Sequence, residues 1–271
     1  MDSKIDFIKE KSIQIRTLII KMLAKCGSGH PGGSLSSADI IACLYFEVLN
    51  HSAKDQTNTD RDKFHLSKGH GCPALYAALS LCGYFKEEEL WKLRTINGLL
   101  QGHPTSRIPG INVSSGSLGH GLSIALGMAL SGKIDKKDYR VYCLMGDGEM
   151  QEGNIWEAAM AAAHYHTDNL CGIVDCNGLQ IDGKTDEVMR VEPLADKWLA
   201  FGWHVIKCDG HSVAELLDAF SSARNIKDKP VVILARTVKG KGVSFMEGVL
   251  KYHGVAPTPE EEATALKELE K

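Results

Sequence analysis

An α/β fold of three layers, αβα, built on one mostly parallel central sheet is predicted by three features of the chain. The first is a strand–helix–strand unit. Residues 141–145 form an apolar run of the length a buried parallel strand requires, and the run stops at Gly146-Asp147-Gly148. An alanine-rich segment follows over 155–166, and a second apolar run, 170–174, ends at Asp175-Cys176-Asn177. A right-handed crossover between two such strands sets their carboxyl ends on one edge of the sheet. The second feature is continued alternation, with a strand at 204–208, a helix over 212–225 capped by Ser212, and a strand within 230–237. The third is size and composition: 271 residues, 44 % apolar and 24 % charged, suit a single large domain spanning 1–271.

Taken in order, Ile8, Ser12, Ile15, Ile19 and Leu23 recur at helical spacing and predict a helix over 4–25 that ends at Gly27. Residues 28–33 (Ser-Gly-His-Pro-Gly-Gly) read as irregular, a place where backbone approaches a ligand closely. A helix over 37–49 precedes a short strand at 64–67, after which comes Lys68-Gly69-His70-Gly71. Helices are expected at 73–82 and 86–94, an irregular stretch at 98–116, and a tightly packed helix over 118–130 containing Gly119, Gly121 and Gly127. A loop of that length within a domain usually serves function, and a glycine-rich turn before a helix aims backbone N–H groups at phosphate. Another helix is expected at 194–201. From about residue 239 the chain turns irregular, and Thr258-Pro259-Glu260-Glu261 predicts a capped terminal helix.

A formal charge of −3 gives no electrostatic reason to expect nucleic acid or an acidic membrane as partner. No apolar run reaches about 18 residues, and the N-terminus is too charged for a signal peptide, so a cytoplasmic location is expected. The eight cysteines are scattered without a Cys-x-x-Cys pair and read as reduced, mostly buried thiols. Cys26 and Cys176, beside the candidate site, are expected to be the most reactive.

Asp147 and Asn177 stand thirty positions apart at the ends of two strands that a crossover would make neighbours. Hard divalent cations want roughly six oxygens, a few from protein and the rest from phosphate and water, so the pair suits a metal-held diphosphate. Four histidines, His30, His70, His103 and His253, stand in or beside glycine- and proline-rich loops. A cluster of imidazoles suits a site that handles carbonyl and hydroxyl groups, because the imidazole pKa lies near working pH. His164 and His166, two apart on an expected helix, share no face and read as packing or surface residues.

Gly146-Asp147-Gly148 followed by Asn177 resembles the thiamine diphosphate motif of the transketolase family. Gly153, Asp175, Asp182 and Gly183 are similar to residues in the same places, although Cys176 stands where the family usually has the first of two asparagines. The resemblance extends over nearly the whole chain, through Ser28-Gly29-His30-Pro31-Gly32, Ser67-Lys68-Gly69-His70, Gly102-His103-Pro104 and Gly116-Ser117-Leu118-Gly119. It implies that Asp147, Asn177 and the carbonyl of Leu179 hold Mg²⁺ (or Ca²⁺). By the same resemblance His70, Gly116, Ser117, Leu118, Gly146, Gly148, Glu149 and His253 bind the cofactor. His30, His70 and His253 would act around the diphosphate and thiazolium, and His103 on the terminal hydroxyl of the donor ketose. Only His253 aligns where family members often carry two histidines.

The family's cofactor-activating glutamate comes from a second α/β domain across a subunit interface. After Lys241 only thirty residues remain, too few for that domain. The resemblance therefore implies the N-terminal subunit of a heteromeric transketolase, in an α2β2 assembly with a C-terminal subunit that binds the pyrimidine. Such a pair would move a two-carbon ketol unit from a ketose (phosphate) to an aldose (phosphate), as in pentose phosphate exchange. It also implies a large apolar docking face, and a place at the subunit contact for Glu152, whose plainer reading is a helix-start glutamate. Two alternatives stay open: a subunit of another split thiamine diphosphate enzyme that decarboxylates 2-oxoacids, and a cofactor-binding module without catalysis.

Overall fold

The structure, a computed structural model, describes residues 2–270. Helix α1 (Asp2–Cys26) buries Ile8, Ser12, Ile15, Ile19 and Leu23 along one stripe, as the spacing predicts. Helices α2 (Pro31–Ser36) and α3 (Ala38–Cys43) follow, the latter widening into a π turn over Leu44–Val48. A helix at Pro31 departs from the irregular segment expected there. Proline at the first helical position brings a fixed φ and lacks an N–H that would have no partner, and tight packing then favours the glycines. A Cβ on Gly32 would lie 2.8 Å from the Tyr252 carbonyl.

Strand β1 (Lys63–Leu66) leads to α4 (Cys72–Leu81). The helix expected at 86–94 is a 3₁₀ stretch, Glu87–Lys92, which ends where Leu93 leaves the helical region. Next come α5 (His120–Ile134), β2 (Val141–Gly146), α6 (Gly153–His164) and β3 (Leu170–Cys176). His166 falls beyond the end of α6, at positive φ, with its ring 2.9 Å from the Asp228 carbonyl. A small antiparallel ribbon, β4 (Leu179–Gln180) and β5 (Gly183–Lys184), precedes α7 (Thr185–Val188) and α8 (Leu194–Ala200). The chain closes with β6 (His204–Asp209), α9 (Val213–Asn225), β7 (Val231–Arg236) and α10 (Pro259–Leu269).

The main sheet has the order β1-β2-β3-β7-β6, and every pairing in it is parallel. Successive residues of a strand point to opposite faces. Tyr142 and Leu144 accordingly join one core with α1, α3, α4 and α9, while Val141, Cys143 and Met145 join another with α5, α6 and α8. These are the three layers expected. Among the described residues no helix is long and apolar enough to cross a membrane. Large apolar side chains such as Met160, Ile134 and Ile181 are exposed.

Both expected caps form. Ser212 accepts from the N–H of Glu215, and Thr258 and Glu261 make a reciprocal capping box at the start of α10, whose Ala265 and Leu269 enter the first core. Thr258→Ala is expected to lower stability by about 1 kcal/mol, read as a shift of the urea midpoint. An unchanged midpoint would show that this cap adds nothing to the fold.

Candidate active site

The carboxyl ends of β1, β2, β3 and β7 lie on one edge of the sheet and deliver the site's residues there. Gly146 and Asp175 are register partners, so Asp147 and Asn177 leave adjacent strands side by side. The Asp147 carboxylate ties the two loops: Oδ1 accepts from the Gly148 N–H at 2.8 Å and Oδ2 from the Gly178 N–H at 2.5 Å. Burial, reinforced by the neighbouring Asp175, pushes its carboxyl up to about 6 against the pull of those two N–H groups. Asn177 donates its amide N–H to Asp175 Oδ2 at 3.2 Å. Its carbonyl oxygen takes only the Leu179 N–H at 3.2 Å, so a lone pair remains for another partner. The Leu179 carbonyl accepts from Lys239 Nζ at 2.9 Å.

Asp175 lies beneath this layer, wholly buried, and accepts from Lys68 Nζ, the Ser36 and Thr237 hydroxyls and the Asn177 amide. Burial alone would raise its carboxyl. The Lys68 ammonium and the hydrogen bonds overcome that and hold it below the ordinary carboxylate range. Lys68 also donates to the Gly33 carbonyl at 2.8 Å, which joins the start of α2 to the end of β3.

His30, His70 and His253 form a triangle with ring centroids 5.3, 5.4 and 5.7 Å apart. They line a cavity of about 340 Å³ with Asp147, Asn177 and Leu179, and His103 lines it too. Burial, then the Arg94 charge, lowers His30 to about 4; burial, then Lys239, lowers His253 to about 4; burial, then Lys68, takes His70 to about 2. His103 is lowered by burial and by Arg94. At neutral pH all four are neutral rings, each able to donate from one nitrogen and accept at the other. The Nδ1 atoms of His30 and His253 are buried without a protein partner, as expected of groups that await a ligand's polar atoms.

Of the other residues the sequence singles out, Gly116, Leu118, Gly146, Gly148 and Glu149 line the same cavity. His103 packs on Gly116, whose Cβ would lie 3.4 Å from the imidazole. The Glu149 carboxylate is engaged by the Ser67 hydroxyl and by the N–H groups of Gly119 (2.8 Å) and Gly146 (3.1 Å), pinning the start of α5 to the ends of β1 and β2. Ser117 opens instead into a neighbouring recess with His65 and His120. Glu152 is exposed on the rim at the N-cap of α6 with no side-chain capping bond, and a Cβ on Gly119 would stand 2.5 Å from its own Cβ. Cys176 does not fit a reactive thiolate, because burial, with Asp147 and Asp175 beside it, pushes its thiol far up. All eight cysteines are free.

Lys239 and Lys68 are the cations that line the cavity; Lys68 lies in the Ser67-Lys68-Gly69-His70 motif without being marked there as an inward charge, and no sequence pattern singles out Lys239. Both are nearly inaccessible, and burial together with Lys68 lowers Lys239 to about 8. Their only signal is placement, each beside a glycine just past a strand end. The oxygens of Asp147, Asn177 and Leu179 are the donor type a hard divalent cation takes, and Lys239 adds positive charge for a diphosphate. The residues present therefore fit both groups.

Known proteins resemble the chain over almost all of its length. A family model described as "Transketolase, thiamine diphosphate binding domain" matches residues 8–269. The chain is 42 % identical over 266 residues to one of the subunits of the apulose-4-phosphate transketolase of Phocaeicola vulgatus, covering 98 % of this chain and 95 % of that one. It is 45 % identical over 271 residues to the "6-deoxy-6-sulfo-D-fructose transketolase subunit SqwG" of Clostridium sp., covering 100 % and 98 %. The crystal structure of transketolase from Campylobacter jejuni superposes with a TM-score of 0.94 at 32 % identity, over 98 % of this chain and 43 % of that one. The match thus takes in almost all of both separate subunits but less than half of the single-chain enzyme. This chain belongs to the transketolase family and carries its thiamine diphosphate binding domain.

Proposed function

We propose that the chain is the diphosphate-holding, N-terminal subunit of a heteromeric transketolase that depends on thiamine diphosphate and Mg²⁺ (or Ca²⁺). It works with a C-terminal subunit that supplies the pyrimidine-binding half, in an α2β2 assembly in the cytoplasm. The pair moves a two-carbon ketol unit from a ketose to an aldose. The observation that carries this reading is the histidine triangle opening into the same cavity as the Asp147, Asn177 and Leu179 oxygens. The names of the two subunit relatives point to anionic sugars, a phosphate in one and a sulfonate in the other. An anionic ketose is accordingly the first donor to try.

Asp147, Asn177 and the Leu179 carbonyl would hold the cation, and Lys239 would offset the remaining charge of the diphosphate. Thiamine diphosphate, when bound, supplies the electron sink for breaking the bond between C2 and C3 of the sugar. His30, His70 and His253 meet the sugar oxygens as neutral donors and acceptors, and the unpartnered Nδ1 atoms of His30 and His253 hold or pass protons there. His103, nearer the Gly116 loop, contacts the far hydroxyl of the two-carbon unit. Gly116 and Leu118 would face the cofactor's pyrimidine side.

The test is co-expression with a pyrimidine-binding half, followed by thiamine diphosphate titration and a ketol-transfer assay on ketose phosphates and sulfonates. Consumption of a ketose with transfer to an aldose is expected. Cofactor binding without consumption of any ketose would leave a binding module, and decarboxylation of a 2-oxoacid would replace the transketolase reading.

A further inference from the structure

We propose that His211 is a positioning residue for the diphosphate site: held as a neutral Nδ1–H imidazole between Asp39 and the backbone of Val238, it fixes the segment that presents Lys239. The proposal rests on the functional reading above for what Lys239 meets, though not for how His211 is held. The Val238 N–H donates to His211 Nε2 at 2.8 Å. A backbone amide can only donate, so Nε2 carries no proton and the ring hydrogen sits on Nδ1. From there it is donated to Asp39 Oδ2 at 2.8 Å.

Asp39, on α3, is clamped in turn by Arg16 of α1, with Nη1 to Oδ1 at 3.0 Å and Nη2 to Oδ2 at 2.5 Å. Arg16 also reaches the Lys241 carbonyl with Nε at 3.0 Å. Two side chains bound to one carboxylate therefore grip the segment on either side of Lys239, at Val238 and at Lys241. The loop that bears His211 is itself fastened to the end of β7. Gly210 donates its N–H to the Arg236 carbonyl at 2.7 Å, and a Cβ there would stand 2.5 Å from Thr237 Cγ2.

Lys239 needs such a mount. Its long side chain has many rotamers, and only a fixed backbone brings the ammonium repeatedly to one point. The segment departs from β7 through Gly240 and Gly242, both at positive φ, so it has no regular structure of its own to hold it. Imidazole spans the gap between a carboxylate acceptor and an amide donor. A glutamine side chain offers the same pair of functions, N–H for Asp39 and carbonyl oxygen for Val238, whereas leucine offers neither. The Asp39–Arg16 pair survives in both variants, so both are expected to fold.

The experiment compares wild type, His211→Leu and His211→Gln in complex with the partner subunit, in the presence of Mg²⁺. For His211→Leu the KM for thiamine diphosphate is expected to rise about tenfold or more, with kcat at saturating cofactor within about twofold of wild type. His211→Gln should recover most of the affinity. Unchanged KM in the leucine variant, or equal losses in both, would overturn the proposal. A second measurement does not depend on cofactor binding. Nitrogen NMR of the wild-type full-length chain should show Nε2 of His211 unprotonated at neutral pH, and amide exchange at 238–241 should speed up about tenfold in His211→Leu, with α9 unaffected. A protonated Nε2 or unchanged exchange would refute the positioning role whether or not the complex is a transketolase. If the wild-type complex failed to bind thiamine diphosphate while these two results held, the functional reading alone would fall.

Discussion

Lys68→Met is expected to destabilise the chain by about 3–5 kcal/mol at neutral pH, because it strands a buried carboxylate rather than because it removes a favourable pair. Lys68 is 2 % exposed and Asp175 is 0 % exposed. Without the ammonium, Asp175 keeps only the neutral donors Ser36, Thr237 and Asn177. The effect should depend on pH with a definite sign. In the wild type the Asp175 carboxyl is held below its ordinary value, near 3.9 in an unfolded chain, so its contribution is present above that value and lost as pH falls through the lower folded one. In the variant only the neutral hydrogen bonds oppose burial, the carboxyl moves up, and mild acid neutralises it at little cost. The gap between the two proteins, measured by urea unfolding, should therefore be widest near pH 7 and narrow towards pH 5. A gap independent of pH would assign the loss to the packing of the lysine methylenes. Adding Asp175→Asn to Lys68→Met should recover part of the loss.

That pair also shows where the sequence stops speaking. Strand–helix–strand order, the caps at Ser212 and Thr258 and the loops that bear the histidines depend on neighbours within a few positions, and those the sequence displays. The partner of Lys68 lies 107 positions away and that of His211 lies 172 away in Asp39. Spacing along a chain does not reveal that a lysine turns inward, so neither lysine of the site stands out in the sequence, although Lys68 sits inside a recognisable motif. The helix at Pro31–Ser36 is hidden for a related reason. Glycine and proline read as irregular in isolation, and here the close approach of the Tyr252 carbonyl makes the absence of a Cβ the requirement. Cys176 does lie beside the site, as the sequence suggests, but its reactivity turns on burial and on two carboxylates brought near by folding. His253 shows the opposite case. A single aligned histidine in an irregular segment, it completes the triangle because the chain after β7 returns over α2, where the Gly240 N–H reaches the Gly32 carbonyl at 3.0 Å.

Asp147→Ala is expected to reduce metal-dependent binding of thiamine diphosphate about 100-fold or more, since it removes the only charged member of the three expected cation ligands. The same change leaves the Gly148 and Gly178 N–H groups without their acceptor, which costs about 1–3 kcal/mol of stability for each one that stays buried. Binding and stability must therefore be measured together, by calorimetric titration in Mg²⁺ well below the melting temperature. The pH dependence separates a ligand from a loop tie. With its carboxyl raised to about 6 in the metal-free chain, Asp147 contributes stability that is complete below about 3.9 and lost as pH rises through 6. Cation binding requires the ionised form, so protons and metal compete, and wild-type affinity should fall as pH drops through 6. In the alanine variant this component of the pH dependence should vanish. Wild-type cation affinity that stayed level across that range, or a variant that bound thiamine diphosphate as the wild type does, would remove Asp147 from the clamp. A loop tie alone predicts the loss of stability and no competition between protons and metal.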